Sequence, residues 1–277
     1  MKLCIIGNSH LASLKTGWDT LPDLHSKAEA TFFGAKGYDL KRLRRKGTVF
    51  SSKDPVVIHQ LQFTSGGSKS FDAADFDAFA TAGLYFGRTH LIEALEKHRV
   101  SAVPGRSEFD HIISDELFEV LVRSRIQKCL AIRIVKLLRE ATDKPIFVCE
   151  QPLPSNHIRK KGMSVWRDAA AFEKIITPIW RDELAKLEQQ YRFQVLEQPV
   201  ETVNQNLFLT HHRNSAGAIR LLDGLNVVHK RKEYAHMNAD YGAIVMTEVI
   251  DAASRGIVES SSAIGDRVHC PPDASSS

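Results

Sequence analysis

The residues of this chain best suited to chemistry are a serine near its beginning and an acid–histidine pair towards its end. Ser9 directly follows the apolar run 3–7 and Asn8, and Glu233 precedes His236 by three residues. A serine hydroxyl becomes a good nucleophile only when a histidine takes its proton, and an acid must hold that imidazole in the right tautomer. The order Ser, acid, His differs from the chymotrypsin and subtilisin orders. The two motifs together predict a serine hydrolase in which Ser9 attacks, His236 is the base and Glu233 orients His236.

Each of these motifs also has a purely structural interpretation. Ser and Asn are favoured helix N-cap residues, so Asn8 and Ser9 also suit a tight strand-to-helix turn. Glu233 and His236 equally suit a solvated pair ahead of a helix. The hydrolase interpretation makes a geometric prediction, because it requires the Ser9 hydroxyl to lie within hydrogen-bond reach of a ring nitrogen of His236.

Strand-like and helix-like segments alternate along the chain. Short apolar or β-branched runs predict strands, and apolar residues spaced by threes and fours predict helices. The predicted strands are 3–6, 28–33, 48–50, 56–63, 76–82, 145–149 and 193–196, with 51–55 as a hairpin turn. The predicted helices are 10–18, 107–141, 165–190 and 239–253, with a basic helical turn at 40–45 and Asn238 as the cap of the last helix. This alternation predicts a mostly parallel sheet covered by helices on both faces.

Three loops are expected to converge at one edge of that sheet, because sites in open parallel sheets form beyond the carboxyl ends of the strands. Ser9 follows the first strand, the loop 34–37 follows the second, and the loop 83–87 follows the predicted strand 76–82. The backbone N–H groups at a helix start can hold an oxyanion, and a glycine N–H can approach a substrate closely. His236 would enter the same crevice from the loop before the last helix.

These blocks resemble those of the SGNH (GDSL-type) hydrolases, a flavodoxin-like α/β family of esterases, acetylesterases and some acyltransferases. The segment Gly7-Asn8-Ser9-His10 is similar to the family's first block, Gly-Asp-Ser, and to the Gly-Asp-Ser-His of SGNH domains tied to glycan O-acetylation. Glu233 and His236 match the last block, Asp-x-x-His, with Glu for Asp. The resemblance implies a single three-layer α/β/α domain over residues 1–255, with insertions. It also implies an oxyanion hole formed by the N–H groups of Ser9, Gly37 and Gly83.

The third family block, Gly-x-Asn-Asp, is matched only at Gly83, because Tyr85 and the phenylalanine after it occupy the Asn and Asp places. The family's Asn donates a hydrogen bond to the developing oxyanion, and losing one such donor typically costs ~100- to 1000-fold in rate. Asn156 and Arg88 are the candidates to replace it. We expect these two residues, together with Tyr85 and His10, to bind the substrate. His10 has the alternative of being an ordinary helix-start residue.

Composition excludes several other classes of protein. The chain has 277 residues, 43% of them hydrophobic, and a net charge of +4, which does not suit a dedicated nucleic-acid binder. No segment approaches the ~20 apolar residues of a membrane span, and the first apolar run is too short for a signal-peptide core. The four cysteines lack the paired spacing of a zinc site or a disulfide framework. We therefore expect a cytoplasmic location, and a flexible tail over 256–277, which is rich in Ser and Pro.

Two basic clusters remain, one after each of two predicted loops. Their members are Lys36, Lys41, Arg42, Arg44, Arg45 and Lys46 in the first cluster and Arg159, Lys160, Lys161 and Arg167 in the second. Such runs usually form a solvated face. If they flank the crevice, they favour an anionic substrate, such as an acidic glycan or a phosphorylated or CoA-linked acyl group.

These observations together predict an esterase that removes a small, acetyl-like O-acyl group from a carbohydrate or a related small ester through an acyl-enzyme. Serine chemistry of this kind needs no cofactor and no metal, and we expect no nucleic-acid or membrane partner. Two alternatives stay open. The same site could transfer the acyl group to another hydroxyl, or the chain could be a non-catalytic binding protein of SGNH type that has lost the third block.

Overall fold

The computed structural model of this chain describes residues 1–93, 95, 98–100, 111–161, 164–222, 225–229 and 233–265. Its strands are β1 Lys2–Gly7, β2 Glu29–Gly34, β3 Arg44–Lys46, β4 Val49–Ser51, β5 Phe71–Asp72, β6 Ala78–Ala82, β7 His98–Val100, β8 His111–Ile113, β9 Ile146–Cys149, β10 Gln194–Leu196, β11 Val203–Asn204, β12 Leu209–Thr210, β13 Ile219–Leu222 and β14 Leu225–Val228. Its α-helices are α1 Leu11–Trp18, α2 Pro55–Ser65, α3 Arg88–Glu93, α4 Asp115–Lys128, α5 Leu130–Arg139, α6 Ser164–Arg167, α7 Ala169–Tyr191 and α8 Ala239–Gly265.

The centre of the molecule is a five-stranded parallel sheet in the order β2-β1-β6-β9-β10. Counted within this sheet, the order is 2-1-3-4-5, which is the flavodoxin-like arrangement. The connections reverse direction between β1 and β6, so the crevice of this fold opens where these two strands end. Gly7 at the end of β1 pairs with Gly34 of β2 and with Ala82 of β6. Ser9 therefore follows the strand at the switch point of the sheet.

Helices cover both faces of the sheet, which confirms the predicted α/β/α layers. Because successive strand residues point to opposite faces, Leu3 and Ile5 pack towards α1 and α8, while Cys4 and Ile6 pack towards the layer that contains α2, α5 and α7. Leu3, Cys4, Ile5 and Ile6 of β1 are fully buried, whichever face of the sheet they point to. This two-sided burial explains why β1 is a continuous apolar run rather than an alternating one.

Two glycines let α1 and α8 cross at close range. A Cβ atom at Gly242 of α8 would overlap the backbone of Ser13 in α1, and a Cβ atom at Gly17 of α1 would overlap the backbone of α8 at Ala243. The contact fixes the start of α8 against α1. Since Ser9 lies just before α1 and His236 just before α8, the same contact brings the two residues to one place.

The prediction of a strand at 56–63, and of a hairpin around 51–55, is wrong, because this segment forms α2. The Asp54 side chain accepts hydrogen bonds from the N–H groups of Val56 and Val57, Pro55 occupies the first helical position, and Gly66 ends the helix at φ +78°. These end signals outweigh the strand preference of the β-branched residues between them. The strand β4 instead pairs with β3 and β5. β3 and a 3₁₀ turn at Asp39–Arg42 take the place of the helical turn predicted at 40–45.

The helix predicted at 107–141 is also divided. Residues 101–110 lie outside the described part, β8 occupies 111–113, and α4 and α5 meet at Cys129, whose extended backbone (φ −64°, ψ 157°) ends one helix and begins the next. The helix predicted at 165–190 is likewise divided at Asp168. The last helix runs to Gly265 rather than ending at Ala253, so the predicted tail is helical from 256 to 265, and 266–277 lie outside the described residues. None of the helices in the described ranges combines the length and the apolar character that a membrane span requires.

Candidate active site

Ser9 and His236 lie in direct contact, although they are 227 positions apart along the chain. The Ser9 Oγ and the His236 Nε2 are 2.9 Å apart, which confirms the geometric prediction. A tight turn presents the serine, because the Asn8 carbonyl accepts from the N–H of Leu11 and the Asn8 side-chain oxygen accepts from the N–H of His10. The strand β1 and this turn together aim Ser9 out of the sheet edge.

Glu233 lies on the other side of the His236 ring. Its Oε1 is 3.2 Å from Nδ1 of His236, off the line of a straight hydrogen bond, and accepts the N–H of Ala235 at 2.8 Å. Contact with His236 is the main cause that lowers the pKa of Glu233 to about 2, and the Ala235 N–H adds to it. The carboxylate is therefore ionised throughout the ordinary pH range and faces the nitrogen opposite Ser9.

Two further imidazoles cover the faces of the His236 ring. His10 stacks on one side, with ring centroids 4.9 Å apart, and His229 stacks at 4.3 Å. Burial lowers the pKa of His10 well below its usual value, and burial together with the nearby His236 lowers the pKa of His229 to about 4. His229 also reaches the second oxygen of Glu233, with Nδ1 and Oε2 3.7 Å apart. Both outer rings are thus held neutral around His236.

The backbone N–H groups of Ser9 and Gly37 suit an oxyanion hole. Both residues line the cavity at the end of β1, and within the described residues neither N–H donates to an acceptor. Gly37 has φ +54°, a conformation that a residue with a Cβ adopts only with strain. Gly83 is not among the residues that line this cavity, and a Cβ atom there would overlap Asn8 and approach His10. Its role in the structure is to leave room for the Ser9 turn.

The segment after β6 has an unusual backbone. Gly83, Leu84 and Tyr85 have φ values of +72°, +55° and +62°, and such values cost energy in residues other than glycine. The turn brings Tyr85 beside Gly37, where a Cβ atom would lie 3.6 Å from the Tyr85 hydroxyl, and stacks Tyr85 on Tyr38 at 3.7 Å. The structure thus places Tyr85 next to the predicted oxyanion loop.

Arg88 and Asn156 are not among the described residues that line the cavity. The Arg88 guanidinium makes a two-pronged ion pair with Glu150, at 2.8 and 2.7 Å, and only 8% of its side chain is exposed. Its face also lies over the Phe208 ring. Asn156 lies in a 3₁₀ turn, and its buried Oδ1 has no hydrogen-bond partner among the described residues. Arg88 is therefore engaged in a structural ion pair, and the replacement of the missing third-block Asn by either residue stays a prediction.

The cavity beside Ser9 has a volume of about 520 Å³. The described residues that line it are Asn8, Ser9, Leu11, Ala12, Gly34, Ala35, Lys36, Gly37, His59, Gln60, Phe63, Thr64, Arg220, His229 and His236. Of the first basic cluster, only Lys36 is among them. Arg42 pairs with Asp39 and Asp54, and Arg45 pairs with Glu140. The side chains of Lys160 and Lys161, in the second cluster, lie outside the described ones.

His229, Glu233 and His236 also form a group whose ligand atoms lie within 4.8 Å of one another, as a metal site would require. Zinc binds an imidazole nitrogen at about 2.1 Å and close to the ring plane. The His229 and His236 ring centroids are 4.3 Å apart and the ring planes only 14° from parallel, so the two planes meet far beyond coordination distance from either ring. The observed arrangement suits a carboxylate shared by two imidazoles better than a metal ion.

Sequence reasoning missed His229 and Arg220. The spacing of His229, Glu233 and His236, with intervals of four and three residues, is a signal that could have indicated the first. Arg220 lies on β13 of the hairpin formed by β13 and β14, and no local pattern indicates that this hairpin borders the cavity. No protein-family model and no curated protein sequence matches this chain, so the site is interpreted from its own geometry.

Proposed function

We propose that this protein is a serine esterase that cleaves a carbon–oxygen ester through an acyl-enzyme on Ser9. The contact of 2.9 Å between Ser9 Oγ and His236 Nε2 carries the proposal, because a hydroxyl needs such a base to become a nucleophile. The Glu233 carboxylate on the far side of the ring stabilises the imidazolium that forms. The proposal places Ser9, Glu233 and His236 in the roles that the resemblance of the sequence blocks to SGNH-type hydrolases implies.

The reaction proceeds in two halves. Ser9 Oγ attacks the acyl carbon and its proton passes to His236 Nε2, while the carbonyl oxygen becomes an oxyanion held by the N–H groups of Ser9 and Gly37. The bond to the alcohol oxygen then breaks, and His236 returns the proton to that oxygen. In the second half, water attacks the acyl carbon and gives its proton to His236. The bond to Ser9 Oγ then breaks, His236 returns the proton to that oxygen, and the acid is released. The alcohol is a carbohydrate or a related small molecule, and a sugar hydroxyl in place of water would make the same site an acyltransferase.

The reaction needs no redox partner. The free, buried thiols of Cys4, Cys129 and Cys149 fit a reducing compartment such as the cytoplasm.

Labelling with a fluorophosphonate, followed by mass mapping of the modified peptide, tests the proposal. We expect modification of Ser9 in the wild-type chain, none in Ser9→Ala, and strongly reduced modification in His236→Ala. Ser68→Ala removes an exposed hydroxyl elsewhere and should label like wild type. A wild-type chain that is not modified at Ser9 would instead support a binding protein of the same fold.

A further inference from the structure

Two cationic side chains line the cavity beside Ser9, and the Glu233 carboxylate lies behind the His229 and His236 rings. Its described lining contains Lys36 and Arg220 and no aspartate or glutamate. Both cationic side chains belong to exposed residues, and in the part of the chain that the structure describes neither has a carboxylate within ion-pair distance. Arg42 and Arg45, which lie outside the cavity, are by contrast neutralised by acids at 2.9 and 2.8 Å. Lys36 and Arg220 are therefore two cationic side chains at the cavity that no acid among the described residues neutralises.

The remaining wall is largely apolar or already satisfied. Leu11, Ala12, Ala35 and Phe63 contribute hydrocarbon surface. Of the polar residues, Gln60 accepts the N–H of Lys36 at 2.6 Å, and Thr64 accepts the N–H of Gly34 at 2.8 Å. These two side chains hold the loop after β2 in place, so Lys36 and Arg220 are the charged groups available to a ligand. A volume of about 520 Å³ far exceeds the space that an acetyl group fills and lies in the range of sites for small organic ligands.

We propose that the ligand of this cavity carries an anionic oxygen group, a carboxylate or a phosphate, on an apolar stem, and that Lys36 and Arg220 bind the anion. This inference rests on the proposed function in that the ester bond would lie at Ser9. An arginine can bind a carboxylate or phosphate through two parallel N–H groups, while a lysine acts as a point charge. Low-dielectric walls focus the field of such charges and raise the local concentration of anionic ligands. The anion belongs either to the acyl part or to the alcohol part of the ester.

The first test measures binding without turnover, in the Ser9→Ala chain. The probes are 3-phenylpropionate and its neutral amide, 3-phenylpropionamide, with phenyl phosphate as a second anion. We expect the carboxylate to bind more tightly than the amide, and this preference to fall about 10- to 100-fold when Lys36→Gln and Arg220→Gln are added, as the loss of charge-assisted hydrogen bonds implies. Lys53→Gln with Lys69→Gln removes the same charge from exposed residues outside the cavity and should keep the preference. Equal binding of acid and amide, including no binding of either, overturns the proposal.

The second test uses the wild-type protein and decides whether the anion belongs to the acyl part or to the alcohol part of the ester. A carboxylate on the acyl side is present in mono-4-nitrophenyl glutarate and absent from 4-nitrophenyl pentanoate. A carboxylate on the alcohol side is present in 4-acetoxybenzoate and absent from 4-acetoxybenzamide. The proposal is supported if kcat/KM is higher for the anionic ester than for its neutral partner in one pair, and if this preference is lost in the Lys36→Gln, Arg220→Gln chain. The pair that shows the preference tells whether the anion belongs to the acyl part or to the alcohol part. Hydrolysis with no preference in either pair overturns it while the esterase stands. If the protein binds the anions but the fluorophosphonate does not modify Ser9, the anion-site proposal is supported and the esterase proposal is contradicted.

Discussion

The imidazole rings of His229 and His236 lie face to face, with centroids 4.3 Å apart and 14° between their planes. The stack fixes the plane of His236, so that Nε2 faces Ser9 and Nδ1 faces Glu233. With its pKa lowered to about 4, His229 is neutral near pH 7 and so would not repel the imidazolium that the proposed reaction forms on His236. His229 is therefore a positioning residue in the proposed mechanism.

The depressed pKa of His229 predicts a pH dependence of stability. The unfolded chain takes up a proton on His229 near its ordinary pKa of 6.5, while the folded chain does so only near 4, so the free energy of unfolding falls as pH falls through this window. His229→Gln removes this contribution. We expect its Tm to decline less than that of wild type between about pH 7 and about pH 5, by about 2–4 °C after allowance for solvent screening. His211→Gln, a histidine outside the cavity, is the control. Equal declines in wild type and His229→Gln would show that the stack does not disfavour the charged ring.

Glu233→Gln should keep the fold and lower kcat, since an amide can favour the wrong imidazole tautomer and does not stabilise the imidazolium. We expect a loss of at least about 10-fold and at most about 10⁴-fold, smaller than that of Ser9→Ala. Because the pKa of Glu233 is about 2, the carboxylate is already ionised at mildly acidic pH, and the loss should persist from about pH 5 upward. Esterase assays across pH check this, with the exposed Glu201→Gln as the control. Unchanged turnover would mean that another group orients His236.

Comparing Gly37→Ala with Gly47→Ala separates the proposed oxyanion role of the Gly37 N–H from the loss of stability that alanine causes at a positive φ. Gly37 and Gly47 have φ values of +54° and +61°; a Cβ atom at Gly37 would meet only the Tyr85 hydroxyl, at an ordinary 3.6 Å, and a Cβ atom at Gly47 would meet nothing within 4 Å. Alanine at either site should lower the free energy of unfolding by about 1–2 kcal/mol through left-handed strain. Only Gly37 lines the cavity, so a shift of its N–H should reduce kcat about 10-fold or more, whereas Gly47→Ala keeps kcat. Denaturant melts paired with kinetics measure both. Equal kcat in the two variants argues against this donor.

Gly242→Ala tests whether the contact between α1 and α8 brings Ser9 and His236 together. The new Cβ overlaps the backbone of Ser13, which has no room to yield, so we expect a Tm lower by several degrees and a loss of activity beyond the fraction unfolded. Gly256→Ala, in the same helix, places its Cβ at an ordinary distance of 3.4 Å from Pro145 and should be neutral or stabilising. Differential scanning calorimetry and fluorophosphonate labelling check the pair. A Gly242→Ala chain as stable and as reactive as wild type would contradict the model of a fixed crossing.

Local sequence patterns correctly predicted the elements whose burial or capping is visible in adjacent residues of the sequence. The apolar run before Ser9 is β1 because both of its faces are buried, and Asn238 caps α8 by accepting from the N–H of Tyr241 at 3.1 Å. The same kind of reasoning failed for α2, where β-branched residues indicated a strand and the ends at Asp54 and Gly66 decided for a helix. Periodicity describes the middle of a segment, whereas hydrogen bonds at its ends choose between competing conformations.

The sequence alone also singled out Ser9, Glu233 and His236, because the chemistry of a serine nucleophile requires these residue types and the two segments that carry them resemble known sequence blocks. Only the tertiary structure decided what surrounds them. The stack of His229 on His236 and the position of Arg220 at the cavity depend on where the β13–β14 hairpin lies, and Arg88 is withdrawn into an ion pair with Glu150. Spacing along a chain records contacts within a few residues. Contacts between distant segments arise from the packing of whole elements, which no short pattern encodes.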